Sequence, residues 1–155
     1  MRSANDHEPL AAGTPEPWAR EFPVLVPGVL IARTQTVAAI DRVRITMGFP
    51  AEVFARVVWP VLEGYAAFVQ LLPATGSSQH RQPGGGLRHG LELTARALRQ
   101  RRGQILPRGA APEVIGAHAH RWTYAVLVAA LVAAARDTLA GLRVVLRHRG
   151  REMRP

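Results

Sequence analysis

Cysteine and lysine are both absent from this sequence of 155 residues, and aspartate occurs only as Asp6, Asp41 and Asp137. Without cysteine, the chain can form no disulfide, no thiolate metal site and no cysteine nucleophile. So few aspartates argue against a Ser-His-Asp triad, a glycosidase carboxylate pair and a two-metal carboxylate centre. Composition alone therefore excludes the cysteine-based sites and disfavours these three carboxylate-dependent ones.

Long apolar runs and targeting signals are missing as well. The longest apolar run covers residues 124–135, whereas a helix that spans a membrane needs roughly 20 apolar residues. We therefore interpret this run as a buried helix and expect no membrane span. No signal-peptide pattern opens the sequence, so a reducing cytoplasm is the expected location.

Arginine supplies the whole net charge of +9. Its guanidinium group suits phosphate, and a strongly basic domain predicts nucleic acid or another polyanion as partner. An arginine-only complement is equally consistent with a GC-rich coding sequence. Aromatic residues make up 6% of the chain and do not alternate with the arginines, which argues against a base-stacking surface for single strands.

The chain divides into a flexible leader, residues 1–22, and one domain, residues 23–155, which is long enough and apolar enough to bury a core. Apolar residues at three- and four-residue steps predict helices over residues 36–47, 49–72, 87–101 and 112–140, the last in two pieces that break near His120. Residues 22–32 are predicted to be extended because Pro23 and Pro27 interrupt them. Residues 142–155 begin with a β-prone run. The predicted fold is all-α with one short strand or hairpin near the C-terminus.

Two histidines flank the glycine-rich segment "PGGG" and are the candidate ligands or catalytic groups. His80 lies in the preceding loop, and His89 lies on the helix that follows. On a helical wheel, His89 is about 170° from the centre of the apolar stripe, so it either is an exposed surface histidine or faces a cleft closed by a second element. The glycines resemble a phosphate loop but lack the Gly-Lys-Ser/Thr ending. His118 and His120 are two residues apart on a helix and cannot readily share one metal.

Several segments together resemble a known family. The motifs "FVQLLPA", "PGGGLRHGLE", "RWTYAV" and "LRV" occur in this order over residues 68–144. They are similar to the N-terminal TraI-type domain of MobH-class conjugative relaxases, and the resemblance extends over residues 24–155. It implies a divergent HD-domain-like helical bundle that would cleave DNA with one or two divalent metals.

The resemblance implies a metal site that this sequence holds only in part. His89 matches the family's helix histidine, and His80 is what remains of a run of three histidines. The His-Asp pair that should complete the site matches Ala133 and Ala134, which offer no lone pair to a metal. Asp137, three residues further on, is a candidate substitute. The C-terminal part of a full relaxase does not follow, so we expect a domain truncated at its C-terminal end.

We therefore predict a catalytically inactive homologue of a conjugative-transfer relaxase domain, with DNA or proteins of the conjugation machinery as partners and no cofactor. The alternative is an active, metal-dependent DNA-nicking relaxase or phosphohydrolase that uses His80, His89 and Asp137 with Mn²⁺, Co²⁺ or Zn²⁺. A third possibility is a folded remnant without function. The arginines predicted to contact phosphate are Arg81, Arg88, Arg96, Arg99, Arg101, Arg102, Arg143, Arg147 and Arg149.

Overall fold

Helices form nearly all of the regular structure in the computed structural model, which describes residues 23–74, 80–140, 146–148 and 151–153. The predicted all-α class is confirmed. The predicted leader, residues 1–22, lies outside the described residues. In chain order the helices are α1 (Pro27–Arg33), α2 (Val37–Met47), α3 (Ala51–Val53), α4 (Trp59–Val69), α5 (Gly85–Arg102) and α6 (Pro112–Ala140).

The first helix corrects the prediction that residues 22–32 are extended throughout. Residues 23–26 are irregular, but Pro27 begins α1. A proline is favoured in the first helical turn, because its fixed φ suits the helix and its missing N–H would have had no partner there. The prolines therefore mark where the helix starts and do not exclude it. The next predicted helix is confirmed as α2, which ends at Gly48 in the left-handed conformation, φ 66°.

The predicted helix over residues 49–72 is present but irregular. Between α3 and α4 lies one π-helical turn, Phe54–Val58, in which the N–H of Trp59 donates to the carbonyl of Phe54. Pro60 follows in the first turn of α4, where its lack of an N–H is tolerated. The irregularity is thus a π turn just before Pro60, a common form of local irregularity in a helix.

The core lies where α5 packs against α6 and α2, with α4 closing one side. Helices α5 and α6 are antiparallel: Gly86 at the start of α5 lies beside Thr138 near the end of α6, and Arg101 at the end of α5 reaches Ala119. The predicted apolar stripe of α5 is buried. Its members Leu87, Leu91, Ala95 and Leu98 are all at most 5% exposed.

Helix α6 corrects a second prediction, because it runs through His120 without a break. No proline or glycine interrupts residues 117–140, and the Thr123 hydroxyl donates to the carbonyl of Ala119 within the helix. Among the described helices, only α6 has the length and apolar composition to cross a membrane. One such helix is weak evidence for a span, because the mostly buried core helix of a soluble protein can pass the same test. In α6, however, 28% of the apolar window is buried, so the prediction that residues 124–135 are buried holds only in part.

The predicted short strand pair is present at the C-terminus. Strands β1 (Leu146–His148) and β2 (Arg151–Met153) form an antiparallel pair, with Leu146 opposite Met153. The hairpin follows the helices in sequence order, and it leaves the all-α class unchanged.

Candidate functional site

The glycine-rich segment is a packing element and not a phosphate cradle. A phosphate loop binds its ligand through free backbone N–H groups, but here each glycine N–H has a carbonyl acceptor of the chain itself. Gly84 donates to Leu71, Gly85 to Gln82 and Gly86 to Leu72, at 2.8–2.9 Å. Gly84 and Gly86 therefore dock the start of α5 onto the end of the preceding helical segment, and Gly85 closes a turn within the loop. None of the three N–H groups is left for a phosphate.

These glycines also allow close approaches that a side chain would block. A Cβ atom at Gly85 would collide with the backbone of His80, and one at Gly86 would lie 2.9 Å from the carbonyl oxygen of Leu72. Gly84 has a φ of 81°, a conformation that favours glycine. Because this tight packing fixes the loop against α5, it also fixes where His80 lies.

The two candidate histidines lie together. His80 is only 7% exposed, and its ring centre is 5.5 Å from that of His89, with the rings tilted by 53°. Since the loop carrying His80 lies against this side of α5, His89 is half-buried. The helical wheel left open whether His89 is exposed or faces a second element. In the structure it faces the loop that carries His80.

The structure adds Glu92 to this cluster. Its Oε2 atom lies 3.3 Å from Nε2 of His80, an ion pair whenever His80 is protonated. The other ring nitrogen of His80, Nδ1, is buried without a hydrogen-bond partner among the described residues. Sequence reasoning missed Glu92, although its spacing of three residues from His89 places both side chains on one face of the helix. We refer to His80, His89 and Glu92 as the histidine cluster.

The cluster does not fit the metal centre that the family resemblance implied. Within the described ranges, no three His, Asp or Glu side chains are grouped so that they could hold a metal ion. Ala134 is fully buried in the core and Ala133 is exposed, so the two positions that match the family's His-Asp pair face different surroundings. Asp137 is exposed near the end of α6.

The phenol of Tyr65 closes the inner side of α5. It donates to the carbonyl oxygen of Gly86 at 3.3 Å, and burial raises the pKa of Tyr65 to about 12 because the phenolate would be poorly solvated. A Cβ atom at Gly90 would collide with the same phenol. The ring therefore sets the spacing between α4 and α5 and has a structural role.

Two of the arginines predicted to contact phosphate have partners inside the protein. The guanidinium of Arg88 donates to the carbonyl of Thr34, at the C-terminal end of α1, at 2.9 Å. That of Arg101 donates to Gln104 and, across to α6, to Ala119. These contacts tie α5 to the C-terminal end of α1, to the loop that follows α5 and to α6. Both arginines are half-buried.

The other candidate arginines differ in their surroundings. Arg81 and Arg102 are exposed, and Arg143 and Arg149 lie outside the described residues. Arg147 lies in β1. Arg96 and Arg99 are exposed on α5 and line a groove toward α2, where Arg42 joins them. Sequence reasoning did not include Arg42, because no spacing along one helix relates it to the arginines of α5.

The remaining histidines of α6 belong to different surroundings, as their spacing predicted. The ring of His120 packs edge-on against Phe49, with ring centres 5.0 Å apart. His118 instead accepts a long contact, 3.4 Å, from the guanidinium of Arg121 on the outer surface of α6. The two rings therefore do not form one site.

Comparison with known families matches residues 21–151 to the TraI_2 family, whose description reads "Putative helicase". Comparison with curated proteins and with solved structures yields no match. The matched range contains the glycine-rich segment, the histidine cluster, the arginine-lined groove and helices α1 to α6. Since the match covers most of the sequence and includes every motif that carried the resemblance, this chain belongs to the TraI-type family of conjugative-transfer proteins.

Proposed function

We propose that this chain is a TraI-type domain that binds DNA during conjugative transfer, in the cytoplasm, without cleaving or unwinding it. The observation that carries the proposal is the combination of family and charge. In a family of conjugative-transfer proteins, this chain has a net charge of +9 that comes entirely from arginine. Arginine forks pair with phosphate oxygens in bidentate geometry, which suits a DNA ligand.

We propose no ATP-driven unwinding of DNA by this chain. ATP-driven helicases hold the nucleotide phosphates in a P-loop whose lysine reaches the β- and γ-phosphates. This chain contains no lysine, and the N–H groups of its glycine-rich segment donate to carbonyls of the chain. These residues therefore give no support for helicase activity in this chain, although the family is described as a putative helicase.

We propose that the chain does not cleave DNA because of the metal-donor side chains that it offers. Strand cleavage by a metal needs an ion held by several donors and open to the phosphodiester. The described residues offer the histidine cluster, in which Glu92 is directed at His80, and alanines stand at positions 133 and 134. We expect that Mn²⁺, Co²⁺ and Zn²⁺ bind no more tightly than to a surface histidine.

Titration calorimetry of the purified chain with each of these metals tests this expectation. His89→Ala serves as the control, because it removes the cluster's helix histidine and should leave the weak background unchanged. Stoichiometric binding with a submicromolar Kd that disappears in His89→Ala would contradict the proposal and restore the nicking alternative with His80, His89 and Asp137.

The DNA-binding half is tested by the salt dependence of binding to duplex DNA. Each phosphate neutralised by an arginine releases condensed counterions, so the affinity should fall by orders of magnitude between about 50 and 200 mM salt. Binding that is insensitive to salt, or no binding at low salt, would contradict a phosphate-driven interaction. In the second case, the proteins of the conjugation machinery remain as the proposed partners of this domain.

A further inference from the structure

We propose that the groove between α2 and α5, lined on its rim by Arg42, Arg96 and Arg99, binds the phosphate backbone of nucleic acid. We call it the arginine groove. This inference rests on the proposed function and specifies which of the 20 arginines carry it. It also assigns a ligand-binding role to Arg42, which lies on a different helix from the other two.

The shape of the groove suits a chain of phosphates. It has a volume of about 270 Å³, and its floor consists of Ala39, Leu91 and Ala95. All three floor residues are buried, and two are alanines, which leave the space between the helices open above them. Arg96 and Arg99 are three residues apart and project from the same face of α5, opposite Arg42 on α2. A backbone lying in the groove would therefore meet guanidinium groups on both sides.

The guanidinium groups of the groove are available for a ligand. Among the residues that the structure describes, none forms a hydrogen bond or ion pair with Arg96 or Arg99. Arg42 donates from Nε to the carbonyl of Ala38 in its own helix, which leaves its two terminal nitrogens. In contrast, Arg44 on the same helix is paired with Asp41. Within the described part of the chain, the groove thus brings three available guanidinium groups to one place.

Glu92 is the one acidic residue among those that line the groove, and it connects the groove to the histidine cluster. Its carboxylate lies 3.3 Å from Nε2 of His80. A carboxylate beside three arginines lowers the positive potential that a phosphate would meet. Removing its charge should therefore strengthen binding, which is the opposite of what loss of a structural contact would do.

The decisive experiment compares two triple variants in the full chain. The groove variant is Arg42→Gln, Arg96→Gln and Arg99→Gln, and the control variant is Arg56→Gln, Arg108→Gln and Arg136→Gln. The control removes the same charge from exposed arginines that do not line the groove. Binding to a labelled duplex of about 20 base pairs is measured by fluorescence anisotropy as salt is varied, and circular dichroism checks that both variants fold.

We expect the groove variant to reduce the slope of log K against log salt by about 3, roughly one for each arginine that no longer pairs with a phosphate. The control variant should keep the slope of the natural sequence. Equal slopes in the two variants would overturn the groove, and the proposed function would stand if the natural sequence still binds DNA. No binding by the natural sequence would instead overturn the proposed function itself.

Glu92→Gln supplies a second test of opposite sign. We expect it to raise the affinity for the same duplex about two- to fivefold at low salt, the size of an exposed ionic contact. The increase should disappear when the change is combined with the groove variant. An unchanged or weaker affinity of Glu92→Gln would count against phosphate in this groove.

Inorganic phosphate should compete with the duplex only at concentrations far above those of DNA phosphate, because a single phosphate contacts the groove at one point. Equal competition would indicate a small-anion site and overturn the nucleic-acid assignment.

Discussion

At the scale of single residues, glycines in α5 allow neighbouring groups to pack closely against the helix. Gly90 faces the phenol of Tyr65 so closely that a methyl group would overlap it. We expect Gly90→Ala to lower the free energy of unfolding by about 1–3 kcal/mol, as overpacking does, when measured by urea denaturation. Gly116→Ala is the matched control, because a Cβ there meets nothing within 4 Å and alanine favours a helix. Equal effects of the two changes would contradict this packing.

Tyr65 should make the free energy of unfolding depend on pH in the alkaline range. The chain has no lysine and no cysteine and only two tyrosines, so few groups titrate above pH 9. Burial raises the pKa of Tyr65 to about 12 in the folded state, whereas in the unfolded chain it is about 10. The unfolded state therefore releases this proton first, and the stability that this group contributes is complete below pH 10 and declines as the pH rises toward 12.

The decline should reach about 2 kcal/mol over that range. Urea denaturation at pH 8 to 11.5 measures it, with Tyr65→Phe as the comparison. Phenylalanine cannot ionise, so most of the decline should be absent from the variant even though it lacks the hydrogen bond to Gly86. A decline of the same steepness in Tyr65→Phe would show that the buried phenol is not the group responsible.

At the scale of helices, arginine serves two purposes that composition cannot separate. Arg88 caps the C-terminal end of α1 through the carbonyl of Thr34, whereas Arg96, about two turns later on α5, is exposed in the arginine groove. We expect Arg88→Gln to lower the free energy of unfolding by about 1 kcal/mol and to speed hydrogen exchange in α1. Arg96→Gln should change stability by less than about 0.5 kcal/mol. Faster exchange in α1 for both variants would contradict the distinction.

The helices themselves were largely predictable, and the failures have local causes. Spacing of apolar residues located α2, α5 and α6 because their buried stripes have the helical period. In α4, Leu62 is buried whereas Phe68 is 58% exposed. The apolar residues there surround most of the helix, so spacing alone could not select a face. It also failed at α1, where proline begins the helix.

At the scale of the whole molecule, the sequence motifs indicated two histidines that lie together in the structure, but not the residues that surround them. The motifs around His80 and His89 assigned both residues to one candidate site, and in the structure their ring centres are 5.5 Å apart. Glu92 and Arg42 were missed, because their roles depend on how a loop and α2 pack against α5. Contacts between elements are tertiary structure, and the spacing of residues along one helix does not predict them. For the same reason, sequence reasoning could not separate the structural arginines from those of the groove.

The central claim is that this TraI-type domain holds DNA without cutting it, and one gel tests both halves. Supercoiled plasmid carrying a transfer origin is incubated with the chain at low salt in the presence of Mn²⁺, and samples are run before and after removal of the protein. We predict a retarded plasmid that returns to the supercoiled position once the protein is removed, with no retardation at high salt. Nicked, relaxed plasmid after protein removal, absent from a His89→Ala sample, would contradict the claim.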